Sequence, residues 1–284
     1  MKAAGLVVHP ARRGAADVAE GLAAFLRERG VGVRWFDDGA RDDDRAMRAF
    51  GDGLDLIVSV GGDGTFLYAA HVAARSDVPI LGVKVGRLGF LTEVDPDLAP
   101  ALLQRAIDGT ARIEERLAVT ADAEAGAAFP PQWALNEMMV EKKARHRIVR
   151  LALFVDHVYV TTFSADGVIV ATPTGSTAYS FSSGGPIVTP TIQCLVVTPV
   201  AAHMVFDRSL VLAADQHVTL EVVGDEEGVI SADGRESLEL PVGSRVRIGR
   251  APDPARFVRS DDAPAFHALV REKFGLPGDD PGAG

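Results

Sequence analysis

The sequence predicts an α/β chain in two parts. An open parallel α/β sheet forms the N-terminal domain, an all-β domain follows, and a C-terminal helix returns to the first domain. Three observations lead there. Short β-branched runs alternate with helix-spaced segments through the first 110 residues. From Ala111 onward, short strand-like runs follow one another between turn residues. Helical spacing comes back at Ala263–Phe274. The expected domains are residues 1–110 with 263–276 packing back on them, and a β-rich domain at 111–262.

Taken in order, Gly5–His9 is the first predicted strand. Ala15–Arg29 sets Val18, Leu22, Phe25 and Leu26 at helical spacing, and Gly30 suits the position just past its end. Val31–Phe36 is a second strand and Asp42–Phe50 a short polar helix. Leu54–Val60 is apolar, β-branched and bounded by Gly, the pattern of a parallel strand buried on both faces. Gly61–Thr65 is its exit turn, and Phe66–Ala74 reads as a helix. Pro79–Val83 is the next strand. Gly82–Glu93 is a glycine-spaced loop expected to line a cleft at the carboxyl edge of the sheet, where open α/β folds bind ligands. Asp95–Gly109 is a helix stopped by its final glycine. Predicted strands of the second domain are Arg112–Ala121, Gln132–Glu141, Ile148–Val155, Val158–Phe163, Val168–Ala171, Leu195–Pro199, Leu210–Leu212, Val218–Val223, Val229–Ala232 and Arg245–Arg250. Asp156-His157 turns a hairpin between two of them. Gly275–Gly284, rich in Gly, Pro and Asp, is expected to fray.

Composition narrows the function classes. The net charge of −10 argues against bulk attraction to nucleic acid or to an anionic membrane. An anionic ligand would therefore need local backbone donors and a few Arg or Lys. No stretch reaches transmembrane length, and Met1–Pro10 is too short an apolar run for a signal peptide. The single cysteine, Cys194, sits in an apolar run, which suits burial and a reducing cytoplasmic setting. Seven scattered histidines show no zinc-ligand spacing, so no protein-built metal centre is expected.

Chemistry concentrates in three stretches. Gly61-Gly62-Asp63-Gly64-Thr65 joins a strand to a helix. Its glycines permit φ > 0 and a close ligand approach, and the helix N-terminus aims free N–H groups at anions. Asp63 would stand beside a phosphate, or else serve as an N-cap. The spacing is neither that of a Walker A loop nor of the G-x-G-x-x-G fingerprint. In the second stretch, Asn136 and Glu137 are adjacent polar residues inside an apolar strand, so one of them faces inward unless the strand ends there. Either they meet a vicinal diol such as a ribose, or they cap the strand's own turn. The third stretch, Ser164–Pro186, runs from apolar strand into clustered hydroxyls and glycines, with Tyr179 able to stack on a planar ring.

GGDGT at Gly61–Thr65, Asn136-Glu137, Asp166-Gly167 and TPTGSTAYSFSSGGP at Thr172–Pro186 resemble, in order and spacing, the motifs of NAD kinases. Thr198–His203 and Ser231–Arg235 are similar too. The glycine turn alone is shared with 6-phosphofructokinases and with diacylglycerol and sphingosine kinases; the TPTGSTAY stretch is not. The resemblance implies phosphorylation of the adenosine 2′-hydroxyl of NAD to give NADP, with ATP or inorganic polyphosphate as donor. It also implies Mg²⁺ held mainly by substrate phosphates, and a homodimer or homotetramer. By position, Asp63 would be the general base. Gly61, Gly62, Gly64 and Thr65 would meet phosphates, Gly64 and Asp63 lying beside NAD as well. Asn136 and Glu137 would hydrogen-bond NAD, and Asp166 a ribose or the nicotinamide end. Thr177, Ala178, Tyr179, Ser180, Phe181 and Ser182 would frame the bases and ribose. Arg147 is a candidate phosphate contact, or part of a solvated basic loop with Lys142, Lys143, Arg145 and Arg150. Two positions depart from the pattern: Tyr68, where relatives often carry a basic residue, and Gly234, where some carry His. A lipid kinase and an NAD-sensing regulator are the rival expectations.

Overall fold

The structure, a computed structural model, describes residues 1–37, 39, 43–92, 94–235 and 237–277. Asp42 and Glu93, at the edges of two predicted segments, and the tail from residue 278 lie outside the described residues. The chain divides into two units, Met1–Glu115 with the segment from Arg256 onward, and Arg116–Ala255. In order, the elements are β1 (Ala3–Val8), α1 (Ala15–Glu28), β2 (Gly32–Trp35), α2 (Asp44–Gly51), β3 (Leu56–Gly61), α3 (Asp63–Ala74), β4 (Ile80–Lys84), α4 (Ala99–Ile107) and β5 (Arg112–Arg116). Then come β6 (Val119–Ala125), β7 (Gln132–Ala134), β8 (Glu137–Lys142), β9 (Val149–Val155), β10 (Val158–Ala165), β11 (Gly167–Ala171) and α5 (Tyr179–Ser182). β12 (Cys194–Val200), β13 (Leu210–Ala213), β14 (Val218–Val223), β15 (Gly228–Ala232), β16 (Leu238–Leu240) and β17 (Arg245–Arg250) complete the second unit. β18 (Ala255–Arg259) and α6 (Phe266–Phe274) close the chain.

In the first unit the strand order is β2-β1-β3-β4-β18-β5. β2, β1, β3, β4 and β18 pair in parallel. Every residue of β3 is buried, as its unbroken apolar run requires of a central strand. Leu56, Val58 and Val60 pack with Leu22 and Leu26 of α1 and Leu102 and Leu103 of α4. On the other face Phe66 of α3 meets the ring of Phe257 with centroids 4.8 Å apart. Helices thus cover both faces, and the carboxyl ends of β1, β3 and β4 share one edge.

The second unit holds two antiparallel sheets, ordered β10-β9-β14-β17-β6-β7 and β13-β12-β11-β8-β15-β16. Its core is aliphatic, with Val140, Leu151, Val170 and Ile248 among the fully buried members. Asp156 and His157 turn the β9–β10 hairpin with φ 47° and 72°, the paired positive values of a tight hairpin turn. Cys194 is buried, and burial pushes its thiol pKa up.

Two predicted strands prove to be two elements each. Arg112–Ala121 splits at Leu117-Ala118, so β5 joins the parallel sheet and β6 an antiparallel one. Gln132–Glu141 splits at Leu135-Asn136, and β7 and β8 lie in different sheets. The predicted helix Asp95–Gly109 is shorter, beginning at Ala99 with Pro100 in its first turn. β16 and β18 have no counterpart among the predicted strands.

Candidate active site

The glycine turn departs from expectation in its backbone. None of Gly61, Gly62 and Gly64 has a positive φ. Space is what is needed there: a Cβ on Gly61 would lie 2.4 Å from Thr65 Oγ1, and one on Gly64 would meet nothing within 4 Å. Thr65 is buried against that gap. Gly62 is the N-cap of α3, and Asp63, its first residue, makes no cap of its own.

The Asp63 carboxylate turns instead to the loop after β4. The Phe90 N–H donates to Oδ2 at 2.8 Å. The Leu91 N–H at 3.1 Å, the Thr92 N–H at 3.0 Å and the Thr92 hydroxyl at 3.0 Å donate to Oδ1. A carboxylate oxygen offers about two acceptor sites. Among the described residues, then, Oδ1 is filled while Oδ2, with one donor, keeps room for an incoming hydroxyl. The loop reaches this close because of Gly89, where a Cβ would sit 1.8 Å from Oδ1. Gly82–Glu93 was expected to line a cleft; its described residues include the seat of Asp63.

Arg12 belongs to the same place and went unread in the sequence. Its Nη1 donates to the Val85 carbonyl at 2.6 Å and stands 2.7 Å from where a Cβ on Gly62 would be. This puts a guanidinium against the glycine turn. The available signal was an Arg pair just after the first parallel strand, hence at the same sheet edge as the turn. Tyr68, one of the two departures, packs its ring 5.5 Å from Phe36.

In the second unit Asp233 explains the break between β7 and β8. Its carboxylate accepts from the N–H groups of Leu135 at 2.8 Å, Asn136 at 2.7 Å and Glu137 at 3.0 Å. Those donors would otherwise extend a ladder. The strand end is capped, though by a residue distant in sequence, and Glu137 is also turned inward. It is 8% exposed, and its Oε2 has no hydrogen-bond partner among the described residues. It lines a pocket of about 310 Å³ with Met139, Glu141, Tyr179, Ser231, Asp233 and Gly234. Burial, and then the Asp233 charge, push its pKa up to about 8. At neutral pH it is therefore mainly a neutral acid, able both to donate and to accept. Burial also raises Glu141, with Asp166 adding to the effect and Lys142 opposing it.

The Thr172–Pro186 stretch locks onto the same break. Thr172 donates its N–H to the Asn136 carbonyl at 2.8 Å and its hydroxyl to the Leu135 carbonyl at 2.6 Å. Gly175 approaches so closely that a Cβ would lie 2.1 Å from the Asn136 carbonyl oxygen. Several hydroxyls serve the fold itself. Ser176 bonds Pro173 and Val188, Ser180 bonds Thr198, and Thr177 donates back to Thr174. Tyr179, Phe181 and Ser182 are exposed on α5, and Ala178 is half-buried. Asp166 pairs with Lys142 at 2.5 Å. Arg147 lies apart from the pocket residues, on an exposed turn with its Nε 3.5 Å from Glu226. Among the described residues no group of three or more His, Cys, Asp or Glu is arranged to hold a metal ion, and no helix is long and apolar enough to cross a membrane.

The chain is similar to known proteins over nearly its whole length. Residues 4–111 match the family model for the ATP-NAD kinase N-terminal domain, and residues 135–260 that for the ATP-NAD kinase C-terminal domain. A NAD kinase of Nocardia farcinica is 37% identical, over 96% of this chain and 91% of that protein. The crystal structure of an Archaeoglobus fulgidus NAD kinase in complex with ATP superposes with a TM-score of 0.77 at 28% identity, covering 98% of this chain and all of that one. The yeast NADH kinase structure with NADH reaches a TM-score of 0.85 at 23% identity, over 99% of this chain and 89% of that chain, a likeness of fold. With both family models and a relative above one-third identity covering it, this chain belongs to the ATP-NAD kinase family.

Proposed function

We propose that this protein transfers a phosphoryl group to the adenosine 2′-hydroxyl of NAD, giving NADP, with Asp63 as the general base. The observation that carries the role of Asp63 is its seat. Four donors fix the carboxylate, yet Oδ2 retains an acceptor site at the start of α3. In the proposed step the 2′-hydroxyl donates to Oδ2. As its oxygen bonds to the terminal phosphorus of the donor, its proton passes to Asp63, and the bond to the leaving phosphate breaks. Phosphoryl transfer asks for positioning and charge neutralisation more than covalent help from the protein. The N–H groups opening α3 and the Arg12 guanidinium supply donors for the phosphates. The open side of Gly64 supplies room.

ATP is the donor this reading favours, supported by the relative crystallised with it; inorganic polyphosphate is the alternative. Mg²⁺ bound to the donor would neutralise charge on the oxygens of the transferred group. The donor set fits a metal held by phosphates and water, since Asp63 is engaged by N–H and hydroxyl donors. NAD itself is assigned to Asn136, Glu137 and Asp166, with Thr177–Ser182, Tyr179 foremost, framing its rings and ribose. Arg147, paired with Glu226 on the surface, would reach a phosphate of NAD only by leaving that pair. A cytoplasmic location is supported by the single buried cysteine. Assembly into a dimer or tetramer is supported by the apolar Val158 and Tyr159, 67% and 56% exposed on the edge strand β10.

The test is NADP formation from NAD and Mg²⁺, with ATP and polyphosphate in parallel. Turnover supports the proposal and names the donor. NAD binding without turnover on either donor would favour a sensor, and absence of NAD binding would refute the assignment.

A further inference from the structure

The loop that seats Asp63 is in contact, through Phe90, with the last helix of the chain. The Phe90 ring centroid lies 6.3 Å from that of Phe266 and 6.1 Å from that of Phe274, both tilted, and Lys273 Nζ stands 5.7 Å from the same ring. Phe266 and Phe274 are the first and last residues of α6, so the whole helix, about 12 Å of rise, spans this one side chain. Along α6 the buried residue is Leu269, and Phe274 is 36% exposed. Leu269 anchors the helix, and the ring contacts tie Phe90 to it.

Phe90 is not an arbitrary anchor. Its N–H is the donor to Oδ2, while Oδ1 has three donors from Leu91 and Thr92. Among the described residues the Phe90 N–H is the donor aimed at Oδ2, so the setting of that oxygen depends on where Phe90 sits.

We propose that α6 is a positioning element for phosphoryl transfer: Phe266 and Phe274 clasp Phe90 and thereby fix the oxygen of Asp63 that takes the substrate proton. This rests on Asp63 being the base. None of the three aromatic residues touches substrate in this scheme, so their effect belongs in kcat rather than in KM.

The test uses the full chain with Phe266→Ala and Phe274→Ala combined, in the parent and in an Asp63→Asn background. Folding is followed by circular dichroism, and the leucine pair at the same positions serves as the conservative control. In the parent background kcat should fall about 10-fold, with KM for NAD and ATP within about twofold, as expected for lost orientation rather than lost binding. The leucine pair should recover most of the loss. In the Asp63→Asn background the alanine pair should have no further effect, because the group it positions is gone. An equal fold-loss in both backgrounds, or a KM rise at unchanged kcat, overturns the clasp. Near-parent turnover of Asp63→Asn by itself overturns the base assignment, and the clasp with it. Should the alanine pair melt below assay temperature, Phe274→Ala alone, at the half-exposed ring, carries the same comparison.

Discussion

Gly89→Ala tests the seating of Asp63 with a single methyl group. The added Cβ would lie 1.8 Å from Asp63 Oδ1, 2.5 Å from Cγ and 2.7 Å from Oδ2. Ordinary contact begins near 3.4 Å, so loop and carboxylate must separate by about 1.6 Å. Hydrogen bonds of 2.8 to 3.1 Å do not survive that retreat. A misplacement of about 1 Å near the chemistry is worth about 10² in rate. The kcat of Gly89→Ala should therefore fall about 10²–10³-fold, approaching removal of the proposed base itself. Lost hydrogen bonds to a charged group are each worth about 1.5–3 kcal/mol, but a part-buried carboxylate regains water. The net loss of stability should be only about 1–2 kcal/mol, a few degrees in Tm. The assay is steady-state NADP formation together with a thermal melt. A variant that melts near the parent and keeps kcat within about threefold would refute the reasoning, because the carboxylate would then have moved without consequence.

Other substitutions probe the second unit and the glycine turn. Glu137 has a pKa of about 8 when folded against 4.5 when unfolded, so between those values the folded chain holds a proton that the unfolded chain has lost. Stability from this group is present below pH 4.5 and is lost as pH rises to about 8. Glu137→Gln should gain in Tm relative to the parent between pH 5 and pH 8.5, measured by melts across that range, and a Tm difference independent of pH would contradict it. Gly175→Ala drives a Cβ to 2.1 Å from the Asn136 carbonyl oxygen. It should cost about 1–3 kcal/mol and raise KM for NAD, read by melts and kinetics. Arg12→Ala removes the guanidinium beside Gly62 and should raise KM for ATP about 10-fold while leaving KM for NAD unchanged, with Arg12→Lys intermediate.

Much of the fold is legible because it is local. Leu54–Val60 is β-branched and unbroken, and it becomes the fully buried β3. Asp156-His157 tolerates positive φ and becomes the hairpin turn. What escaped is non-local. The break at Leu135-Asn136 is made by Asp233, almost a hundred residues away, which takes three N–H groups from the strand. β18 is the short segment Ala255–Arg259, with two Arg flanking its core, and only its place between β4 and β5 makes it a strand. Among the candidate residues, Asp63 and the pair Asn136-Glu137 stand out as polar residues in apolar or glycine surroundings. Arg12 did not: its place just after the first strand sets it at the right sheet edge, but only the folded chain lays it against Gly62. The loop holding Asp63 was legible as a cleft-lining loop but not as the seat of that carboxylate, because the seat is made largely of backbone N–H groups that every residue but proline carries.

The most direct test of the central claim is NADP formation by Asp63→Asn beside the parent enzyme, with NAD, ATP and Mg²⁺. Asparagine keeps the shape but cannot take the 2′-hydroxyl proton. The account predicts KM for NAD within about an order of magnitude of the parent and kcat lower by about 10²–10⁴. Near-parent turnover in that variant would contradict it.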